Sequence, residues 1–164
     1  PEAHADFATE SGSAYVTECW EHRGKQCRAG ESPLQIQVRK LFALLDVSAE
    51  DVLAGNLVPF RSPNWKSLKD RQAALRFGAN LWVEILERAK PALVVCMGSE
   101  TRDALCRDSQ VNNLQTVRLN WGNVTAARGT FWGGAFVSLP HLSRYRVIGR
   151  PASEAAIDAL FCRS

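Results

Sequence analysis

An uninterrupted apolar run, Ala92 to Met97, constrains the fold of this chain more than any other feature. A continuous apolar run of this length is typical of a strand that is buried on both faces of a sheet. Pro91 precedes the run, and Gly98-Ser99 turns directly into a helix that we expect from Glu100 to Arg107. Such a joint directs the free N–H groups of a helix toward the carboxyl edge of the sheet.

Helical and strand patterns alternate along the rest of the chain. Apolar residues fall at helical spacing in Pro33–Leu45, between Ser67 and Lys90, and in Ser153–Phe161. Further strands are predicted at Asn56–Phe60, Leu114–Trp121, Asn123–Ala127 and Ala135–Leu139, with a turn over Arg128–Gly134. This alternation predicts an α/β fold, a three-layer α/β/α sandwich with a central, mostly parallel sheet of four to five strands. We expect a single domain over residues 1–164, in which residues 1–12 are loop or frayed terminus.

Composition narrows the class of protein. The formal net charge of +3 permits an anionic partner such as nucleic acid without requiring one. The 5 cysteines are an odd number without C-x-x-C spacing, which argues against a zinc ribbon and a disulfide framework. No apolar run has the length of a membrane helix, and the start does not resemble a signal peptide. We therefore expect a cytoplasmic monomer that has no membrane partner, metal or cofactor.

Polar residues at the predicted strand ends are the candidates for chemistry, because ligands of open α/β sheets bind beyond the carboxyl ends of the strands. His141 directly follows a buried strand, where an imidazole can donate a hydrogen bond to an oxygen that gains negative charge. Asn56 offers a donor and an acceptor in one plane, which suits the edge of a flipped base. Taken alone, each is more often an ordinary loop residue that satisfies nearby backbone.

The segment Leu142–Arg150 mixes apolar and cationic side chains. An enzyme that extracts a base from a duplex needs a wedge for the gap and cations for the phosphates. The same composition also suits a solvated surface loop, and we leave both interpretations open. The residues that we assign to DNA contact are Leu142, Ser143, Arg144, Tyr145 and Arg146, together with Ser99 at the predicted helix start.

In this order, these segments resemble the uracil-DNA glycosylase superfamily. The resemblance covers about Pro33 to Phe161 and depends on three pieces: Gly-Asn56-Leu-Val-Pro-Phe-Arg61, Leu93-Val-Val-Cys-Met-Gly98, and Pro140-His141-Leu142-Ser143. It implies hydrolysis of the N-glycosidic bond of a flipped-out deoxyuridine by water, without a cofactor. It also implies that Asn56 reads the base edge, that His141 stabilises the departing base, and that Trp20 or Tyr15 stacks on it. Ser143 would contact phosphate, and Leu142–Arg146 would form the minor-groove wedge.

The chain departs from the family pattern at two places. The family opens with a strand and a Gly-x-x-Pro-type loop that carries the water-positioning Asp or Asn, and no such motif is present. We expect that this motif lies upstream of Pro1 or has been lost. Leu142 also replaces the usual proline of the His-Pro-Ser loop, and the cysteine spacing does not match that of iron–sulfur members.

Three functions are therefore open. The first is a DNA glycosylase acting on uracil or a related damaged base in base excision repair. The second is a non-catalytic relative that binds DNA or a protein partner, which the missing motif motivates. The third is an α/β domain that binds another small anionic ligand at the Gly98-Ser99 helix start.

Overall fold

The computed structural model of the protein describes residues 12–60, 62, 65–108 and 111–162. The chain divides into two compact units, with the boundary between Ala54 and Gly55. The first unit is mainly helical, and the second contains the larger β-sheet. Trp20 belongs to the first unit, whereas Asn56 and His141 belong to the second. Among the described helices, none is both long enough and apolar enough to cross a bilayer.

The first unit is organised around one amphipathic helix. Ser32 and Gln35 form a capping box at its start, and Asp46 ends it in the left-handed region with a φ of 53°. The first helix is a single turn, and a small hairpin follows it. The elements are α1 (Ala14–Thr17), β1 (Glu21–His22), β2 (Lys25–Gln26), α2 (Pro33–Leu45) and a 3₁₀ turn (Ala49–Asp51).

A buried glutamine joins the parts of the first unit. Gln35 is 0% exposed, and its side-chain amide donates to the carbonyl oxygens of Ala14 at 3.0 Å and Glu18 at 2.8 Å. Its side-chain oxygen accepts the Ser32 N–H at 3.1 Å. All three bonds satisfy backbone groups that would otherwise be costly to bury, so one side chain ties α1 to the start of α2.

The second unit begins with an irregular loop and a long helix. Asp70 caps this helix by accepting the Ala73 N–H, so the helix begins after the start near Ser67 that the sequence predicted. The elements are a 3₁₀ turn (Trp65–Ser67), α3 (Arg71–Ala89), β3 (Leu93–Met97), α4 (Ser99–Asp108), β4 (Val111–Arg118), β5 (Thr125–Phe131), β6 (Gly134–Leu139), a second 3₁₀ turn (Pro151–Ser153) and α5 (Glu154–Phe161).

The prediction of a mostly parallel three-layer sandwich is wrong. In the described part of the chain, the larger sheet has four strands in the order β3-β6-β5-β4. Only β3 and β6 pair in parallel, whereas β4–β5 and β5–β6 are antiparallel. The cause is local, because consecutive strands joined by short hairpins can only run in opposite directions. Residues 56–60 form an irregular loop instead of the strand that was predicted there.

The turn predicted over Arg128–Gly134 is the local source of that error. Residues up to Phe131 continue β5, and only Trp132 and Gly133 turn the chain. Both have positive φ, 42° and 85°, which is the combination of a tight type I′ hairpin. The hairpin makes β5 and β6 antiparallel neighbours.

The core of the second unit is centred on β6. Phe136 and Val137 are 0% exposed, and Leu139 is 1% exposed. Phe136 packs with Cys96 of β3 and Leu105 of α4 in one hydrophobic cluster. Because β6 is paired on both sides, its carboxyl end is held in a defined position next to the end of β3.

Candidate active site

The carboxyl ends of β3 and β6 form one continuous edge. Met97 pairs with Leu139 in the last register position of the parallel ladder. The Gly98 N–H then donates to the Leu139 carbonyl at 2.9 Å, which extends the pairing by one step. As a result, the Gly98-Ser99 turn and the Pro140-His141 loop lie side by side. We call residues 98–100 and 140–143 the β3–β6 edge.

Gly98 keeps this edge open. Its φ is +92°, a conformation that L side chains rarely adopt, and this lets the chain turn from β3 into α4. A Cβ at this position would lie 3.9 Å from His141 Cδ2 and 4.0 Å from Glu100 Oε2. The imidazole and the carboxylate therefore flank the same small space above Gly98.

Ser143 orients the His141 ring. The Ser143 hydroxyl lies 2.8 Å from His141 Nδ1, and the Ser143 backbone N–H donates to the same nitrogen at 3.4 Å. A backbone N–H can only donate, so Nδ1 must be the acceptor and carries no proton. A neutral ring in this setting has its proton on Nε2, where it is available to a ligand.

The electrostatic surroundings favour this neutral form. Partial burial is the largest effect and lowers the pKa of His141, and the Arg144 charge lowers it further, while Glu100 raises it. The outcome is a pKa below the ordinary value of about 6.5, so the ring is uncharged at neutral pH. The edge thus presents a neutral Nε2–H donor, which suits an oxygen that gains negative charge during a reaction.

Glu100 was missed in the sequence analysis. It is exposed at the start of α4, and its Oε2 accepts a hydrogen bond from the Ser99 hydroxyl at 3.1 Å. A carboxylate in the first turn also favours the helix dipole, which is the ordinary structural role of such a residue. The sequence signal that could have identified Glu100 is its position directly after Gly98-Ser99. A residue at that position lies at the β3–β6 edge, together with any group that follows β6.

The segment after His141 is anchored by its apolar residues. Leu142 is 0% exposed, so it is part of the core, whereas Arg144 and Arg146 are exposed. The Tyr145 ring packs edge-on against Trp121 with centroids 6.1 Å apart. This contact fixes the loop and leaves its cations on the surface beside the β3–β6 edge.

The remaining predicted base-binding residues have other surroundings. Asn56 is exposed in the loop that replaces the predicted strand, and its carbonyl accepts the Trp82 Nε1–H at 3.1 Å. Trp20, in the first unit, donates to Glu18 Oε2 at 2.6 Å and packs edge-on against Tyr15. Arg61, which follows the Asn56 motif, lies outside the described residues.

The second unit also contains a cavity of about 640 Å³. Its lining includes Phe60, Leu68, Lys69 and Phe77, and none of its lining residues belongs to the β3–β6 edge. We refer to it as the Phe60–Phe77 cavity. It is a second concave surface, and it has no residue in common with the candidate active site.

Comparison with known proteins gives no relative from which a function could be transferred. No protein-family model matches the chain, and neither a curated protein nor a solved structure does. Within the described residues, no group of three or more histidine, cysteine, aspartate or glutamate side chains is arranged to hold a metal ion. Function has to be inferred from the side chains of the β3–β6 edge.

Proposed function

We propose that this protein is a DNA glycosylase-like hydrolase of the uracil-DNA glycosylase superfamily. It cleaves the N-glycosidic bond of uracil, or of a related damaged base, in DNA. The observation that carries the proposal is the placement of the His141 ring, whose Nδ1 accepts from the Ser143 backbone N–H beside the open Gly98 turn. The free cysteines, all five of which lie among the described residues, are compatible with action in the reducing cytoplasm.

The leaving base is stabilised by His141. When the bond between the sugar C1′ and the base nitrogen breaks, both electrons go to the base and its carbonyl oxygen becomes negative. The His141 Nε2–H donates to that oxygen, and the first N–H groups of α4 favour negative charge at the same edge. Because the donor is oriented before the substrate binds, little reorganisation is needed as the charge develops.

The carboxylate of Glu100 holds the attacking water. The water oxygen forms the new bond to C1′, and one water proton passes to Glu100 as the base departs. The released base then takes up one proton, so the products are a neutral base and a sugar with a C1′ hydroxyl. The support for this role is that the Glu100 carboxylate flanks the same space above Gly98 as the His141 ring.

DNA binds through the surface around this edge. Arg144, whose charge acts on His141, and Arg146 further along the segment are exposed cations that contact phosphates, with Ser99 and Ser143 as hydroxyl donors. Because Leu142 is fully buried, we assign no wedge to it in the proposal, and Tyr145 supplies the apolar surface of this segment. Asn56 remains the proposed reader of the base edge.

The test is release of uracil from a single-stranded oligonucleotide by the wild-type chain and by His141→Ala. Loss of one preorganised donor of this kind lowers the rate by about 10²–10³-fold. His22→Ala, in the hairpin of the first unit, is the matched histidine control and is expected to leave release unchanged. Salt-sensitive binding without release by the wild type would refute the hydrolase and favour a non-catalytic DNA-binding relative.

Glu100→Gln tests the water-holding role. General-base groups contribute about 10²–10⁴-fold, so release is expected to fall within that range. The matched control is Glu87→Gln, which changes an exposed glutamate on α3. If His141→Ala abolishes release but Glu100→Gln retains it, another residue activates the water.

A further inference from the structure

Two phenylalanines form an exposed aromatic pair at the mouth of the Phe60–Phe77 cavity. Phe60 is 49% exposed and Phe77 is 52% exposed. Their ring centroids are 5.3 Å apart, and the ring planes are inclined by 40°. Each ring contacts the other while one side of the pair stays accessible. Neither the hydrophobic core nor the β3–β6 edge uses these rings, so folding by itself leaves them unexplained.

The concave surface beside the rings has the size and chemistry of a ligand site. Its volume of about 640 Å³ lies within the range of roughly 300–1,000 Å³ that is usual for small-molecule sites. The lining is apolar at Leu68 and Ala74 and polar at Ser67, and it carries one positive charge at Lys69 and one negative charge at Asp70. A ligand with a flat apolar face and a polar or anionic edge matches this distribution.

Three cationic residues lie in the stretch of chain that leads to Phe77. Lys69 lines the cavity, and Arg71 and Arg76 are exposed on the first turns of α3. The nearby Asp70 carboxylate accepts the Ala73 N–H at the helix start, where it also complements the helix dipole. Over the described residues, no acidic partner pairs with these three cations. With Asp70 counted, residues 69–76 carry three cations and one carboxylate, a net charge of +2, which favours an anionic ligand.

We propose that the Phe60–Phe77 cavity binds a base of a single-stranded nucleic-acid segment. The base stacks on the exposed face of the phenylalanine pair, and the flanking phosphates lie against Lys69 and Arg76. Stacking on aromatic side chains is tolerant of sequence, because every base has a flat π-face. This binding needs no bond cleavage, so it is independent of the chemistry proposed at His141.

The experiment measures equilibrium binding of a labelled oligothymidylate by fluorescence anisotropy at low salt. The probe contains no uracil, so the result does not depend on glycosylase activity. Loss of one stacked base weakens binding by roughly 5- to 150-fold, and Phe77→Ala is expected to raise the Kd within that range. Leu114→Ala is the control, since Leu114 is 42% exposed on β4 and does not line the cavity.

A second ligand separates stacking from charge. An abasic oligomer of the same length carries the same phosphates without bases, and we expect Phe77→Ala and the wild type to bind it equally weakly. Equal affinity of the wild type for the two oligomers would mean simple attraction of phosphates to cations, and would overturn the proposal. The proposal would also be overturned if Phe77→Ala bound oligothymidylate with an unchanged Kd. The same holds if apolar peptides, and not oligonucleotides, displaced an apolar dye from the cavity.

Discussion

Replacing Gly78 with alanine tests how the loop that carries Asn56 is held against α3. An alanine Cβ at this position would lie 1.9 Å from the Leu57 carbonyl oxygen and 2.9 Å from its carbon. Ordinary contacts begin at 3.4 Å, so the loop or the helix must retreat by about 1.5 Å. The neighbouring atoms are backbone, which cannot escape by changing a rotamer. Gly78 is therefore the residue that allows this close approach.

Two opposing energies decide the result. An alanine inside a helix makes the helix more stable than a glycine at the same position does, by about 1 kcal/mol. Overpacking costs about 1–3 kcal/mol, and the shift of the loop also strains the Trp82-to-Asn56 hydrogen bond, which is worth about 1 kcal/mol. Leu57 packs against the hydrophobic core, so the loop has little freedom to move without losing that contact. We expect Gly78→Ala to lower the free energy of unfolding by roughly 1–3 kcal/mol.

Urea denaturation of the wild type and the variant measures this difference as a shift in the midpoint. Gly55→Ala in the same loop is the matched control. Its Cβ would lie 3.3 Å from Trp82 Cζ2, a side-chain atom that can adjust, so we expect a change within about 0.5 kcal/mol. A Gly78→Ala protein that is more stable than the wild type would show that helix propensity outweighs the contact, and would refute the reasoning.

Three further predictions concern buried and titrating groups. Gln35→Leu removes three hydrogen bonds to buried or partly buried backbone groups, so the first unit should lose about 2–4 kcal/mol of stability in urea denaturation. An unchanged midpoint would contradict the role of Gln35 in joining α1 to α2. Burial raises the pKa of Cys96 to about 12, so Ellman's reagent at neutral pH should react quickly with the exposed Cys19 and Cys162 and should reach Cys96 only on unfolding. The pKa of His141 in the folded protein lies below its ordinary value. The neutral ring therefore stabilises the folded protein at pH values above the ordinary pKa, and this stabilisation is lost as the pH falls through the folded pKa. Urea midpoints of the wild type should therefore decline more steeply with acid than those of His141→Gln, and parallel curves would argue against the shift.

Local sequence signals were sufficient for the helices and for one strand. The helix Pro33–Leu45 has a capping box at its start, and α3 has an Asp70 cap and a following Pro91, so the predicted and observed bounds differ by a few residues at most. The apolar strand before Gly98 was predicted for the same reason. Caps, prolines and periodicity act over a few residues, which is why a sequence can reveal them directly.

The direction of the sheet could not be obtained in this way. Whether a strand pairs in parallel or antiparallel depends on its neighbour, and the two-residue turn at Trp132-Gly133 lacked the Asn-Gly or Asp-Gly signal that usually marks a hairpin. The predicted strand at Asn56–Phe60 failed for a related reason. Those residues pack against Gly78 of α3 and Trp82 instead of a sheet partner, and nothing in the local pattern distinguishes the two outcomes.

At the candidate site, the sequence determined which groups follow the apolar strands, namely Gly98 after β3 and His141 after β6. Only the tertiary structure decided that these strands are parallel neighbours, that Glu100 shares the space above Gly98, and that Leu142 belongs to the core. The physical reason is that polarity and periodicity are properties of neighbouring residues in the chain. Strand pairing, burial and the approach of an imidazole to a carboxylate depend on which distant segments pack together to remove apolar surface from water.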